Sequence, residues 1–242
     1  MTPEARAPHT PRVGLALALL ASALATSALG VWQVRRNGEK QAWIAEMRAR
    51  LAAPAVSVAA ALADPNGFAF RRVAADGLLD RPQSIALDHQ SRGTHEGVHV
   101  LTPLALDGEQ KSLLVDRGFV AWQDADEFLA GEAAGTSERV RVEGVLQPLS
   151  AEALASGDAP PEGRLVHWNR VHLGALERQL GRPLDPALLI RAPAPSDTAP
   201  IGELPEPKSL VDHVQYAITW FAIAGIALAI AAVELLRGRG AQ

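Results

Sequence analysis

The chain has 242 residues, 48% of them apolar by type, with 23 Lys and Arg against 27 Asp and Glu and no cysteine. That length carries one domain of substantial core plus further segments. Residues 35–212 hold 19 basic and 25 acidic side chains, which argues against a nucleic-acid partner, and the lack of cysteine removes disulfides and thiolate metal chemistry.

The apolar residues are unevenly spread. Residues 13–34, "VGLALALLASALATSALGVWQV", are 22 in a row without a charge, enough for a helix to cross about 30 Å of hydrocarbon. A cleaved signal peptide is the competing reading. The run exceeds the roughly 7 to 15 residues of a signal core, and Trp32, Gln33, Arg35 and Arg36 stand where small cleavage-site residues belong, so a retained anchor is expected. Beyond it Trp43, Ile44, Met47 and Leu51 recur at helical spacing until Pro54. The first helix therefore continues outward as an amphipathic stem.

Short β-rich runs follow at 68–79, 84–88, 97–106, 112–122, 139–148 and 164–168, separated by Asp, Gly and Pro. In "RVRVEGVL", Val140 and Val142 face one way while Arg139, Arg141 and Glu143 face the other, as in a half-buried antiparallel strand. The spacing predicts a barrel or strongly twisted sheet. Residues 95–99, "HEGVH", spell the H-E-x-x-H of zinc proteases, which needs a helix to bring both imidazoles to one metal. Gly97, the β-branched run after it and Pro103 favour a strand, on which His95 and His99 stand roughly 13 Å apart. Solvent-facing histidines beside a strand are expected instead. One helix interrupts the strands, "RVHLGALERQLG" at 170–181, with Leu173, Leu176 and Leu180 on one stripe and Gly181 then Pro183 as stop signals. The proline-rich stretch 192–207 reads as an extended linker.

A second uncharged run of 20 residues, 214–233, predicts a second transmembrane helix. The expected scheme is a cytoplasmic N-terminus at 1–12, helices at 13–34 and 213–233, and a cytoplasmic C-terminus at 234–242. Between the helices lies an extracytoplasmic β-rich domain at 35–212, with its core at 54–191 and the linker at 192–207. Arg6, Arg12, Arg237 and Arg239 favour cytoplasmic termini. Arg35, Arg36, Lys40, Arg48 and Arg50 oppose them, but long domains translocate largely regardless of such charges. The dozen residues before the first span leave no room for a transit peptide, so a bacterial inner (plasma) membrane is expected, with the main domain periplasmic. The fold class is an α+β membrane protein, two transmembrane helices flanking an antiparallel, barrel-like domain with one or more short helices.

No Gly-rich phosphate loop, G-x-S-x-G elbow or paired-cysteine site is present, so an enzyme is not expected. Because the two helices run in opposite directions, two polar clusters come to one membrane depth. Trp32, Gln33, Arg36 and Lys40 lie at the outer end of the first helix, and His213, Tyr216 and Trp220 share a face at the start of the second. Two readings stand. One is an aromatic belt with snorkelling cations. The other is a haem site, with His213 as axial ligand, Arg36 and Lys40 facing the propionates, and Trp32, Gln33, Tyr216 and Trp220 lining the pocket.

Four ordered blocks carry a family resemblance. They are "GVWQVRRNGEK" with Gly30, Trp32, Gln33, Arg36 and Lys40, "GVHVLTPLAL" at 97–106, "LLVDRGFVAW" with Asp116 and Phe119, and "DHVQYAITWFAIA" with His213, Tyr216, Ala217, Trp220 and Phe221. Nearly end to end, the chain resembles the surfeit-locus family of cytochrome c oxidase assembly factors. The resemblance implies a factor that assists delivery or insertion of haem a into the core subunit of a haem-copper oxidase, with His213 aligned to the haem-binding histidine. Implied partners are that core subunit, other oxidase assembly or haem-synthesis proteins, and membrane lipid. The alternative is a scaffold that holds the nascent subunit without carrying haem. Asp116 and Asp212 each stand where the family usually has Asn.

Overall fold

The computed structural model describes residues 13–154, 163–193, 198–207 and 211–239. In chain order these form α1 (Val13–Ala52), β1 (Val56–Ser57), α2 (Val58–Ala63), β2 (Arg72–Leu79), a 3-10 turn (Arg81–Gln83), β3 (Ile85–Arg92), β4 (His95–Leu106) and β5 (Ser112–Ala121). There follow α3 (Trp122–Ala133), β6 (Glu138–Pro148), α4 (Ala151–Leu154), β7 (His167–Trp168), α5 (Leu173–Leu180), β8 (Leu184–Arg191) and α6 (His213–Arg239). Two compact units divide them, one within Met1–Glu46 and Pro207–Gln242, the other Met47–Glu206.

In the first unit α1 and α6 are the helices long and apolar enough to cross a membrane. The 40 residues of α1 reach about 60 Å, so the predicted outward stem is continuous with the span. In the apolar span of α1 the buried positions are Ala16, Ala23, Thr26 and Gly30, with Leu19 and Gln33 half-buried on the same stripe. On α6 they are Ala217, Ala224, Ala227 and Ala231, with His213 and Trp220 half-buried. Both sets alternate steps of three and four, a seven-residue repeat that gives a left-handed seam. Small side chains let the two backbones approach, which matters where lipid is as apolar as the protein. A Cβ on Gly30 would lie 2.7 Å from the Phe221 ring. The Thr26 hydroxyl donates to the Ser22 carbonyl at 2.9 Å, so this buried polar group is satisfied within its own helix.

In the second unit β2, β6, β8, β5 and β4 pair in that order, and β4 returns to β2 through Gly77–Leu106, Leu78–Ala105 and Leu79–Leu104. This closes a five-stranded barrel. β5 and β8 run parallel and the other barrel pairs antiparallel. The arrangement is the Greek-key barrel of OB folds, with α3 crossing from β5 to β6. β3 and β7 extend the sheet beyond β4, and β1 adds to β2. Inside lie Val73, Ala75, Leu79, Leu104, Leu113, Val115, Val142, Leu146 and Leu189. β4 and β5 are buried on both faces, because Leu101 and Leu114 pack under α5 while Val98, Val100 and Val120 pack under α3. Hence their near-continuous apolar sequence.

Every predicted strand run contains a strand, and 170–181 contains α5, closed by Gly181 at a left-handed φ of 66°. The two longest elements that were not expected are α3 and β8. α3 has Ala125 and Leu129 on its buried face, but Glu132 sits there too and breaks the amphipathic pattern. β8 contains Pro186, which argues against a central strand. Pro186 falls between Leu184 and Leu188, where the β5 ladder shifts register, so no ladder bond is lost. The stretch read as a linker is tied down in its described part: Phe119 and Ile201 exchange backbone hydrogen bonds of 2.9 and 2.8 Å. Gly118, at a φ of 118°, permits this approach, since a Cβ there would lie 2.1 Å from the Ile201 oxygen.

Candidate functional site

The start of α6 is set by Asp212. Its Oδ1 accepts the Gln215 backbone N–H at 3.0 Å, the N-cap bond that Asn supplies equally well. The carboxylate is thus a helix cap. One residue later His213 begins the seam stripe, half-buried. Its Nδ1 lies 2.8 Å from Oε1 of Gln33, 180 positions away in sequence. Gln33 continues the α1 stripe of Leu19 and Thr26 by the same seven-residue step. The two polar side chains therefore meet at the outer end of a seam whose buried positions are Ala, Gly and Thr.

The other predicted site residues surround this pair unequally. Trp220 is half-buried on the His213 stripe, whereas Tyr216 and Trp32 are 53% and 55% exposed. Arg36 lies one turn outward from Gln33, about 4.5 Å along the axis, and pairs with Glu39 at 2.9 Å with both side chains exposed. Such a pair contributes about 0–1 kcal/mol, so the guanidinium is free to exchange Glu39 for another anion. Lys40 places its ammonium 4.2 Å from the centre of the Trp43 ring. The structure joins Gln33 to His213 and keeps Arg36 and Lys40 on the outward side of that contact, engaged with neighbours on their own helix.

The sequence pattern of the SURF1 family matches residues 20–225. The chain belongs to the SURF1 family. A SURF1-like protein of Monosiga brevicollis is 30% identical over 234 residues, covering 90% of this chain and 86% of its own. Surfeit locus protein 1 of Homo sapiens is 24% identical over 230 residues, covering 87% and 74%, and that of Arabidopsis thaliana is 25% identical over 259 residues, covering 82% and 71%.

The SURF1 match spans the barrel as well, and the barrel holds three polar clusters that sequence patterns do not reveal. His99, expected to face solvent, is half-buried and its Nδ1 lies 2.7 Å from Oδ2 of Asp116. Burial lowers the imidazole pKa, but the hydrogen bond and charge of Asp116, helped by Glu203, outweigh it and leave His99 above its ordinary value. Asp116 also accepts the Gly118 N–H through Oδ1 at 2.9 Å, so its two oxygens serve two donors where an Asn would offer one acceptor oxygen. His95 is exposed on the same strand, and the extended backbone denies the H-E-x-x-H letters their helix.

Glu132, 2% exposed, accepts from Arg81 at 2.8 Å, from Ser84 at 3.1 Å and from Arg117. Burial pushes its carboxyl up, but the hydrogen bond from Arg81 and the charge of Arg117 hold it below the ordinary range. In the third cluster His167 faces Asp88 at 2.8 Å through Nδ1 and Asp126 at 3.2 Å through Nε2, with the exposed Trp122 ring at its edge. Each cluster joins residues from separate strands and helices, so no local spacing signals it.

Proposed function

We propose that this SURF1-family protein is a non-enzymatic assembly factor for a haem-copper oxidase and carries haem a at the outer ends of its two membrane helices. The observation that carries the reading is the His213–Gln33 contact: a half-buried imidazole held at the polar rim of a helix pair, with one ring nitrogen engaged and the other without a hydrogen-bond partner among the described residues. The donor set fits the group. Haem would supply an iron that binds imidazole nitrogen and two carboxylates that bind cations, and this end of the unit offers both residue types. His213 would hold the iron, Arg36 and Lys40 would address the propionates, and Trp220, Tyr216 and Trp32 would cover the macrocycle.

The finer setting follows from the same reading. The membrane is a bacterial inner membrane, both termini are cytoplasmic, and the barrel lies in the periplasm. The partner is the nascent oxidase core subunit, with haem-synthesis proteins upstream. OB-type barrels serve many purposes, and the acidic balance of residues 35–212 suits a protein partner better than a nucleic acid.

The test is to purify the protein from a host that makes haem a and to record oxidised and reduced visible spectra beside His213→Ala. A stoichiometric haem a spectrum lost in the variant is expected. A wild-type protein without haem under membrane-preserving conditions would replace the carrier with a scaffold that holds the oxidase subunit.

A further inference from the structure

The geometry of the helix seam says more about His213 than its identity as a ligand. A neutral imidazole carries one N–H and one lone pair, and the hydrogen bond made by one nitrogen decides which the other presents. Here Nδ1 of His213 faces the amide oxygen of Gln33 at 2.8 Å. An amide oxygen only accepts, so with the Gln33 amide in this orientation Nδ1 carries the proton. Nε2 is then left with its lone pair directed away from Gln33.

We propose that Gln33 is a positioning residue that holds His213 as the Nδ1–H tautomer and so makes Nε2 the single coordinating atom. Two features of the seam support a built contact rather than a chance approach. Gln33 and His213 both occupy the seven-residue stripes along which the helices meet, so each side chain projects at the partner helix. Asp212, the one carboxylate beside His213 in sequence, turns its Oδ1 to the backbone N–H of Gln215, and among the described residues the imidazole's hydrogen bond goes to Gln33 instead. The arrangement has the logic of metal sites in which an acceptor behind the histidine fixes ring orientation and raises ligand basicity.

The identity of the electrophile rests on the haem reading above; the tautomer does not, and the experiment separates them. Full-length protein labelled with ¹⁵N-histidine is placed in lipid nanodiscs at a pH where the imidazole is neutral, and His213→Ala identifies the His213 signals. The wild type is expected to show a protonated Nδ1 and a lone-pair Nε2. Gln33→Ala should redistribute the proton toward Nε2, and Gln33→Glu, which keeps an acceptor oxygen, should restore the wild-type pattern. In parallel, titration with haem a should show Gln33→Ala weakened roughly ten- to a hundredfold and Gln33→Glu recovering most of that loss.

A wild-type His213 protonated on Nε2, or a tautomer unchanged in Gln33→Ala, overturns the proposal. That includes the case where Gln33→Ala loses haem with the tautomer intact, which would mark Gln33 as a register-setting residue of the helix pair. Wild-type protein that shows the Nδ1–H form yet takes up no haem a would uphold Gln33's hold on His213 and sink the haem-carrier reading alone.

Discussion

The helix pair and the barrel solve opposite packing problems with the same alphabet. In the barrel, water drives large side chains inward, and Leu104, Leu113, Leu146 and Leu189 are fully buried, each contributing on the order of 1.5–3 kcal/mol. In the helix pair the leucines and isoleucines face outward, Leu24 at 73% and Ile218 at 65% exposure, and Ala, Gly and Thr hold the seam. Where lipid replaces water the hydrophobic term between helices vanishes, and close backbone approach takes over. Polar groups follow suit. The barrel holds a charged cluster around Glu132, whereas at the outer end of the seam a single amide–imidazole contact, Gln33 with His213, is what the helices share.

The largest effect should come from breaking the barrel's charge cluster. Glu132→Ala strands Arg81 and Arg117, and the expected loss is about 3–5 kcal/mol of unfolding free energy, read by denaturant titration of the full chain in detergent. The helix seam should be left intact, with the haem spectrum retained below the unfolding transition. Next comes Gly118→Ala, which forces a Cβ against the Ile201 oxygen at a left-handed φ. About 1–3 kcal/mol of strain should appear as faster hydrogen exchange at the Phe119 and Ile201 amides.

Gly30→Leu attacks the other unit by overpacking against Phe221. A cost of about 1–3 kcal/mol should separate Gln33 from His213 and lower haem content while the barrel's unfolding midpoint stays put. The smallest effect is in pH. His99 lies above its ordinary value in the folded state, so its stabilising share is complete below the unfolded value, near 6.5, and is lost as pH rises through the folded value. Glu132 behaves oppositely: held below the usual range, it stabilises above the unfolded carboxyl value and fails as pH falls through the folded one. His99→Gln should flatten the alkaline limb and leave the acid limb, both measured as unfolding midpoint against pH.

Much of the fold was legible from local pattern, and the misses have causes. The two spans, the outward stem, the alternating strand at 139–148 and the Gly-terminated α5 each rest on a period or a stop signal carried by a few adjacent residues. α3 was obscured by Glu132, a polar residue at a core position that only Arg81, Ser84 and Arg117 render tolerable. β8 was obscured by Pro186, harmless because it falls in a register shift. At the candidate site, the sequence placed Gln33 and His213 at one membrane depth but offered no reason to single out Gln33 among its neighbours.

What the sequence determined by itself is what a short window encodes: apolar runs long enough for a bilayer, periods of two and 3.6, and caps such as Asp212 and Gly181. Only the tertiary structure decided which of these elements meet. β4 closes on β2, Asp116 receives His99, Glu132 gathers cations from the 3-10 turn and from β5, and the Gln33 amide meets Nδ1 of a histidine 180 positions away. Periodicity tells a side chain which face it is on, whereas its partner is chosen by the closure of the barrel and the register of the seam, which depend on the whole chain at once.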